Sequence, residues 1–297
     1  MKHILRVLLV IVLALPMSVF AQEDDITIDD IENAFASLFK NDSVRLEGST
    51  LIDQTITFSG SVITQSIVQD LTGEMQFTDE QLTGLNSALT QTFIAEAMGN
   101  STEGSMLMEM IYVDETLYMK VSEATGTLEG TYPEGWLNLL TDADSVEGLA
   151  LLNIDSLLAT FNKPLLYPLN EETVIGFEMV EIDPELELAE GTMAYHLEIN
   201  AEAAFASGDM ASLFAGYEQL GVDMEDLLNQ MMQGAGFDVL VYILDGQLIR
   251  IETVMTIDAE ISLSGTVMQL VQSSSAILNY TEFNFPIEVT APETESE

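Results

Sequence analysis

Residues 237–263 read FDVLVYILDGQLIRIETVMTIDAEISL. Asp245-Gly246 is a dipeptide that favours a type I′ turn, and apolar residues alternate on both sides of it. The stretch therefore reads as a β-hairpin with a two-residue loop. Such a loop pairs Leu244 with Gln247, Tyr242 with Ile249 and Leu240 with Ile251 on one face. Ile243/Leu248, Val241/Arg250 and Val239/Glu252 fall on the other. Both faces are partly apolar, which predicts a sheet covered on both sides at this place.

The same period of two extends outward through the chain. Between Ser43 and Phe58, Val44, Leu46, Ile52, Ile56 and Phe58 share one parity while Arg45, Glu47, Asp53, Thr55 and Thr57 take the other, giving a long strand with one wet face. Gly60-Ser61 is read as a turn, and Ile67, Leu71, Met75 and Phe77 continue in the next strand. Thr90, Thr92 and Phe93 tilt the ambiguous stretch 85–98 towards strand. Residues 106–119 form a hairpin around Asp114-Glu115. Strands are expected at 170–182, at 194–204 and, as the last one, at 269–290. Helical spacing is confined to a few places. Ile31, Phe35 and Leu38 mark one short helix capped by Asp29 or Asp30, and 149–161 carries one or two more. Residues 207–233 are the clearest helical stretch, with Met210, Leu213, Phe214, Tyr217 and Leu220 in one segment and Met224, Leu227, Leu228, Met231 and Met232 in the next. The fold class expected is mainly β (α+β): a large curved antiparallel sheet forming a half-open barrel, with helices covering its concave side.

Composition narrows the function. The 297 residues carry 50 Asp+Glu against 7 Lys+Arg, no Cys and a formal net charge of −43. A surface of that sign repels phosphate, so nucleic acid is excluded as a partner. Disulfide scaffolds, Cys-ligated metal sites and thiol catalysis are excluded with the cysteines. A folded chain near 30 kDa exposes roughly 12,000 Å², about one net charge per 260 Å². Mean spacing is then ~16 Å, against a screening length of ~8 Å in physiological salt.

Residues 1–21, MKHILRVLLVIVLALPMSVFA, have the form of a secretory signal. Lys2 and Arg6 precede an apolar run, and Val19-Phe20-Ala21 ends it with a small residue. The uncharged run is shorter than the ~20 residues that span a bilayer. The organisation expected is a signal peptide at 1–21, a polar leader at 22–30, a single domain at 31–290 and an acidic tail at 291–297. The product is expected to be secreted, periplasmic or extracellular, without a transmembrane anchor.

Four features together resemble the LolA/LppX-like group of bacterial lipid-binding proteins, including the LprG-type carriers. They are the hairpin IYVDETLYMKV at 111–121 followed by Glu134-Gly135-Trp136, the YHLEI strand at 195–199 before the helical insert, Leu248-Ile249-Arg250 after the Asp-Gly turn, and the closing NYTEFNFPIEVTAPE at 279–293. The resemblance spans most of the chain beyond residue 21. It implies an incomplete antiparallel barrel lidded by helices, with an apolar cavity for acyl chains. Many such relatives are membrane-anchored lipoproteins, and this chain lacks the Cys for that.

No catalytic constellation emerges. His196 is the one His beyond the signal, no G-x-S-x-G elbow occurs, and a single Trp gives little for stacking on sugars. Asp142-Ala143-Asp144 fails as a calcium loop, since Val146 and Glu147 stand where Asp or Asn and Gly belong. No cofactor and no metal are expected. The function expected is a non-enzymatic carrier for a lipid or other hydrophobic molecule. A ligand-free structural or regulatory domain with a protein partner at the cell envelope is the alternative, and a secreted hydrolase ranks third. A chain of ~16 methylenes at ~0.8 kcal/mol each supplies ample gross driving force. Candidate lining residues are Ile52, Ile56, Phe58, Phe93, Met110, Tyr112, Tyr118, Trp136, Phe214, Tyr217, Met224, Leu228, Met231, Leu240, Tyr242, Ile249 and Ile251. The Met-rich helix face would act as an adaptable lid. Because self-repulsion is screened by salt, raising NaCl from 10 to 150 mM should raise the thermal midpoint in a calorimetric scan.

Overall fold

In the computed structural model, the structure describes residues 27–129, 132–142, 169–206, 224–263 and 266–293. The signal segment, residues 149–161, Phe214 and Tyr217 lie outside the described residues, as does most of Asp142-Ala143-Asp144. Helix α1 (Ile28–Leu38) comes first, followed by β1 (Ser43–Phe58), β2 (Ser61–Thr78), β3 (Gln81–Ala97), β4 (Asn100–Val113) and β5 (Thr116–Ser122). A two-residue β6 (Leu137–Asn138) and the single turn α2 (Leu139–Asp142) follow. Then come β7 (Val174–Val180), β8 (Met193–Asn200), α3 (Ala201–Ala206), α4 (Met224–Met232), β9 (Gly236–Leu244), β10 (Gln247–Leu263) and β11 (Thr266–Phe283).

The eleven strands of the described residues belong to one sheet in the order β6-β5-β4-β3-β2-β1-β11-β10-β9-β8-β7. Every pairing is antiparallel. The sheet is not closed into a barrel. It is two meanders, β1–β6 and β7–β11, joined where β1 pairs with β11 from Val44↔Phe283 to Phe58↔Met268.

The hairpins are tight. Ser59-Gly60, Asp79-Glu80, Met98-Gly99, Asp114-Glu115 and Asp245-Gly246 each place two successive residues at positive φ. That is the backbone of a type I′ turn, whose twist matches that of the strands it joins. The first of these turns lies one residue before the Gly60-Ser61 expected from sequence.

The predicted pairing of the 237–263 hairpin holds only next to its turn. Leu244 faces Gln247 and Ile243 faces Leu248, but a bulge at Ile249 then shifts the ladder so that Arg250 faces Tyr242, Ile251 faces Val241 and Glu252 faces Leu240. An unbroken register would have set Arg250 against Val241, which is fully buried. The extra residue turns Arg250 to the other face, where its Nε donates to Glu252 Oε1 at 2.8 Å and its Nη1 to Asn279 Oδ1 at 2.8 Å. Ile251 takes the core position instead.

Three other boundaries differ from expectation. The strand predicted to run to Ala204 stops at Asn200, whose side chain accepts from Ala203 N at 3.2 Å and opens the Ala-rich α3. The closing strand stops at Phe283 rather than at Thr290, because Asn284 turns at φ 55° and Pro286 has no N–H to donate. Helix α1 starts after Thr27, whose N–H and hydroxyl both donate to Asp30 Oδ2 at 2.9 and 2.8 Å. Those two donors hold the Asp30 carboxyl below its ordinary range.

Alternation sorts the sheet into two faces. One face carries Val44, Leu46, Met75, Leu85, Leu197, Val239, Val241, Ile251 and Ile257 into the core. Ile31, Phe35 and Leu38 of α1 and Leu227, Leu228, Met231 and Met232 of α4 are buried in that same core. Helices α1 and α4 both pack against β10, and α2 packs on β5 and β6. The opposite face is helix-free in the described residues. At one end of it runs the segment after β11: Phe285 receives the Arg45 guanidinium at 4.7 Å from its ring centroid, and Val289 sits on Gly84. A Cβ at Gly84 would come within 2.9 Å of Val289 and 3.0 Å of Gln76 Oε1. Gly84→Ala should therefore lift this segment, costing about 1 kcal/mol in urea denaturation and speeding amide exchange at 285–293.

Candidate ligand-binding face

The helix-facing side of β2–β6 is lined by methionine. Met106, Met108 and Met110 project inward from alternate positions of β4, and Met110 lies directly across from Met119 of β5. Met75 of β2 belongs to the same cluster, with Leu85 of β3 and Tyr112 of β4 beside it. Met75, Met106 and Met119 are buried, whereas Met108, Met110, Val121 and Leu137 are only half-buried although they point to the core side. Unbranched thioethers on a half-covered apolar surface can repack around guests of different shape.

A band of amides runs beside this sector. Gln65, Gln54 and Gln272 are neighbours across β2, β1 and β11. Gln69 and Gln91 form a second pair across β2 and β3. Gln54 Nε2 donates to Gln65 Oε1 at 2.9 Å, and Gln69 Nε2 donates to Gln91 Oε1 at 3.0 Å. Gln54 Oε1 and Gln272 Oε1, both buried, accept no hydrogen bond among the described residues. Two adjacent unpaired acceptors in the interior cost free energy, about 1–3 kcal/mol each. They also mark the part of the helix-facing surface suited to a donor group.

The expected lining residues divide between the faces. Ile56, Met110, Tyr112, Leu228, Met231 and Ile251 belong to the core cluster, with Met110 half-buried at its margin. Ile52 packs with Ile67 and Phe93 in a separate small cluster on the same face. Phe58 stands at the end of β1, 37% exposed. Met224 opens α4. Tyr118, opposite Ile111, lies on the other face. Trp136 lies beside Lys120, whose ammonium is 5.7 Å from the indole centroid and pairs with Glu109 at 2.8 Å. Leu240 and Tyr242 also face away from the core, opposite Glu252 and Arg250. Ile249 is the bulge residue.

Burial raises the pKa of Tyr112, and that of Tyr280 far more. The Tyr242 hydroxyl is pushed well up too, first by burial and then by its hydrogen bond to Glu252. These phenols stay neutral at any physiological pH. Met75, Met106, Met108 and Met119 were absent from the expected lining set. The spacing of two from Met106 to Met110 is the signal in the sequence for the β4 members of this row.

His196 lies on the helix-free face of β8, with Nε2 2.8 Å from Asp238 Oδ1 and Nδ1 3.8 Å from Glu178 Oε1. No serine or other nucleophile is bonded to it among the described residues. The described residues hold no group of three or more metal-ligating side chains. No described helix is long and apolar enough to cross a membrane.

No protein-family model and no curated protein matches the chain. Among solved structures it is similar to one described as lipid–protein interactions in lipovitellin, at 9% identity over 85% of this chain and a TM-score of 0.39. The chain spans 26% of the length of that protein. A DUF1329 family protein from Desulfovibrio piger shares 8% identity over 87% of this chain and 95% of its own, with a TM-score of 0.20. A β-barrel-like DUF1849 protein from Brucella abortus shares 10% over 80% of this chain and 100% of its own, with a TM-score of 0.17. The fold description rests on the strand ladder of this chain.

Gln272 gives a direct test of the amide band. Gln272→Met, nearly equal in shape, should raise stability by about 1 kcal/mol in chemical denaturation, since it removes an unpaired acceptor and breaks no side-chain hydrogen bond among the described residues.

Proposed function

We propose that the chain is a secreted, non-enzymatic binding protein for a lipid or other hydrophobic small molecule, held on the helix-facing side of the sheet. The observation that supports this most is the methionine sector of β2–β5. It is apolar and inward-pointing, yet its Met108 and Met110 side chains are left half-buried. A well-filled core has no reason to leave such side chains short of partners. An acyl chain laid along them would gain about 25 cal/mol per Å² of apolar surface withdrawn from water. Selectivity for the apolar part of the guest would be loose, because thioethers adapt to its shape. The orphaned carbonyls of Gln54 and Gln272 favour a guest with a hydrogen-bond donor. The sequence resemblance to lipid carriers points the same way, and the absence of a catalytic constellation in the sequence supports binding without chemistry.

Native mass spectrometry of the purified protein, with solvent extraction, should recover a bound apolar molecule. If the sites are empty, titration with a fluorescent long-chain fatty acid should saturate. Met108→Glu with Met110→Glu should weaken that uptake at least about tenfold, since each introduces a charge into an apolar contact. A protein that carries nothing and takes up no probe would defeat the proposal.

A further inference from the structure

The helix-free face has a shallow trough of about 670 Å³ that crosses β3, β2, β1, β11 and β10. Asp53, Thr55, Ile94 and Glu96 of its lining alternate with core-facing positions, and Gln54, Gln65 and Gln272 of the core-facing row between them border it too. Beside the trough, Val68, Leu51 and Ser275 are successive cross-strand partners, with Val254 next in the row. Leu51, Val68, Val254, Ile94 and Val271 are each between 42% and 48% exposed. Leu51, Val68 and Ile94 are close neighbours, Val254 lies across Ser275 from Leu51, and Val271 stands beyond the Asp53–Ser273 row, beside Asp258. Aliphatic side chains grouped at that exposure exceed the single scattered apolar residues of an ordinary surface.

Charge selects the occupant. Asp53, Glu96 and Asp258 line the trough, and no Lys or Arg does. Of the four described cations, Arg45, Lys120 and Arg250 are already bonded to carboxylates elsewhere. A second copy of this chain would bring another formal charge of −43. Nucleic acid and anionic lipid are repelled likewise. With 7 Lys+Arg in the whole sequence, this chain offers no basic segment of its own beyond the start of residues 1–21. We propose that this trough docks a cationic amphipathic helix of another polypeptide, its apolar stripe on Leu51, Val68, Ile94 and Val254 and its Lys or Arg side chains on Asp53, Glu96 and Asp258. Five strands at ~4.8 Å spacing give a width of ~19 Å. A helix of about 13 residues spans that distance. The site lies on the opposite face from the hydrophobic-cargo site and stands whether or not that reading holds.

The probe is a synthetic 18-residue amphipathic helix of Lys and Leu, fluorescently labelled, titrated with the full-length secreted protein at 50 and 300 mM NaCl. Saturable binding that weakens with salt is expected. Leu51→Ser with Val254→Ser, and separately Asp53→Asn with Glu96→Gln and Asp258→Asn, should each weaken binding at least about tenfold at unchanged circular dichroism and thermal midpoint. The carboxamide variant should also flatten the salt dependence. Binding that survives Leu51→Ser with Val254→Ser is general attraction to a polyanion and overturns the proposal. Equal binding of the matching Glu/Leu peptide, or capture by cationic vesicles that matches the peptide and ignores both variants, does so as well.

Discussion

The pairing of β1 with β11 is the contact on which the molecule depends. Every other strand pair is made between neighbours in sequence, and most are set by tight turns. This seam alone joins the two halves at the middle of the sheet, with Asp42 N donating to Asn284 Oδ1 across 242 residues of chain. Were it lost, each meander would end in a long unpaired strand, and neither would keep a continuous face for the helices. The apolar rows run straight through it: Ile63–Ile56–Leu270–Ala259 is one row, on four strands from both halves. Burial on one side of the seam therefore stabilises the other.

The two faces answer to different demands. On the helix-facing side, the core of Val239, Val241, Leu197 and Ile251 is closed by α1 and α4, while the methionine sector of β4 and β5 is less fully covered. On the opposite side the balance is electrostatic. Arg45 holds Glu74 and Glu282, and Arg250 holds Glu252, so the scarce cations are spent where carboxylates crowd at partly buried positions. Lys120 likewise holds Glu109, and His196 lies against Asp238. The large excess of acids over cations keeps copies of the chain apart.

Much of this architecture is legible in the sequence, and the failures have physical causes. The alternation from Val44 to Phe58 and the Asp245-Gly246 turn announce antiparallel strands because period and turn chemistry agree. Asp79-Glu80 is harder to recognise: a turn with no glycine forms there because the flanking strands hold it. The bulge at Ile249 depends on what Arg250 meets across the ladder, a tertiary fact. In the middle of the sheet the usual code inverts, with Gln54, Gln65 and Gln272 pointing inward and Leu51, Val68 and Val271 outward. A reading that places apolar residues inside misses both the amide band and the exposed aliphatic patch. Tyr118, Leu240 and Tyr242, expected as lining residues for their apolar character, likewise face away from the core.

The long reach between the two central strands also sets a timetable. A ribosome adding about 5–20 residues per second needs roughly 12–50 s to make the 242 residues that separate Asp42 from Asn284. Throughout that interval β1 has a complete hairpin neighbour on one flank and bare backbone amides on the other. A nascent chain in that state is a template for any passing strand. The acidic side chains along its wet face, Glu47 and Asp53 among them, then serve as a temporary guard until the final strand arrives.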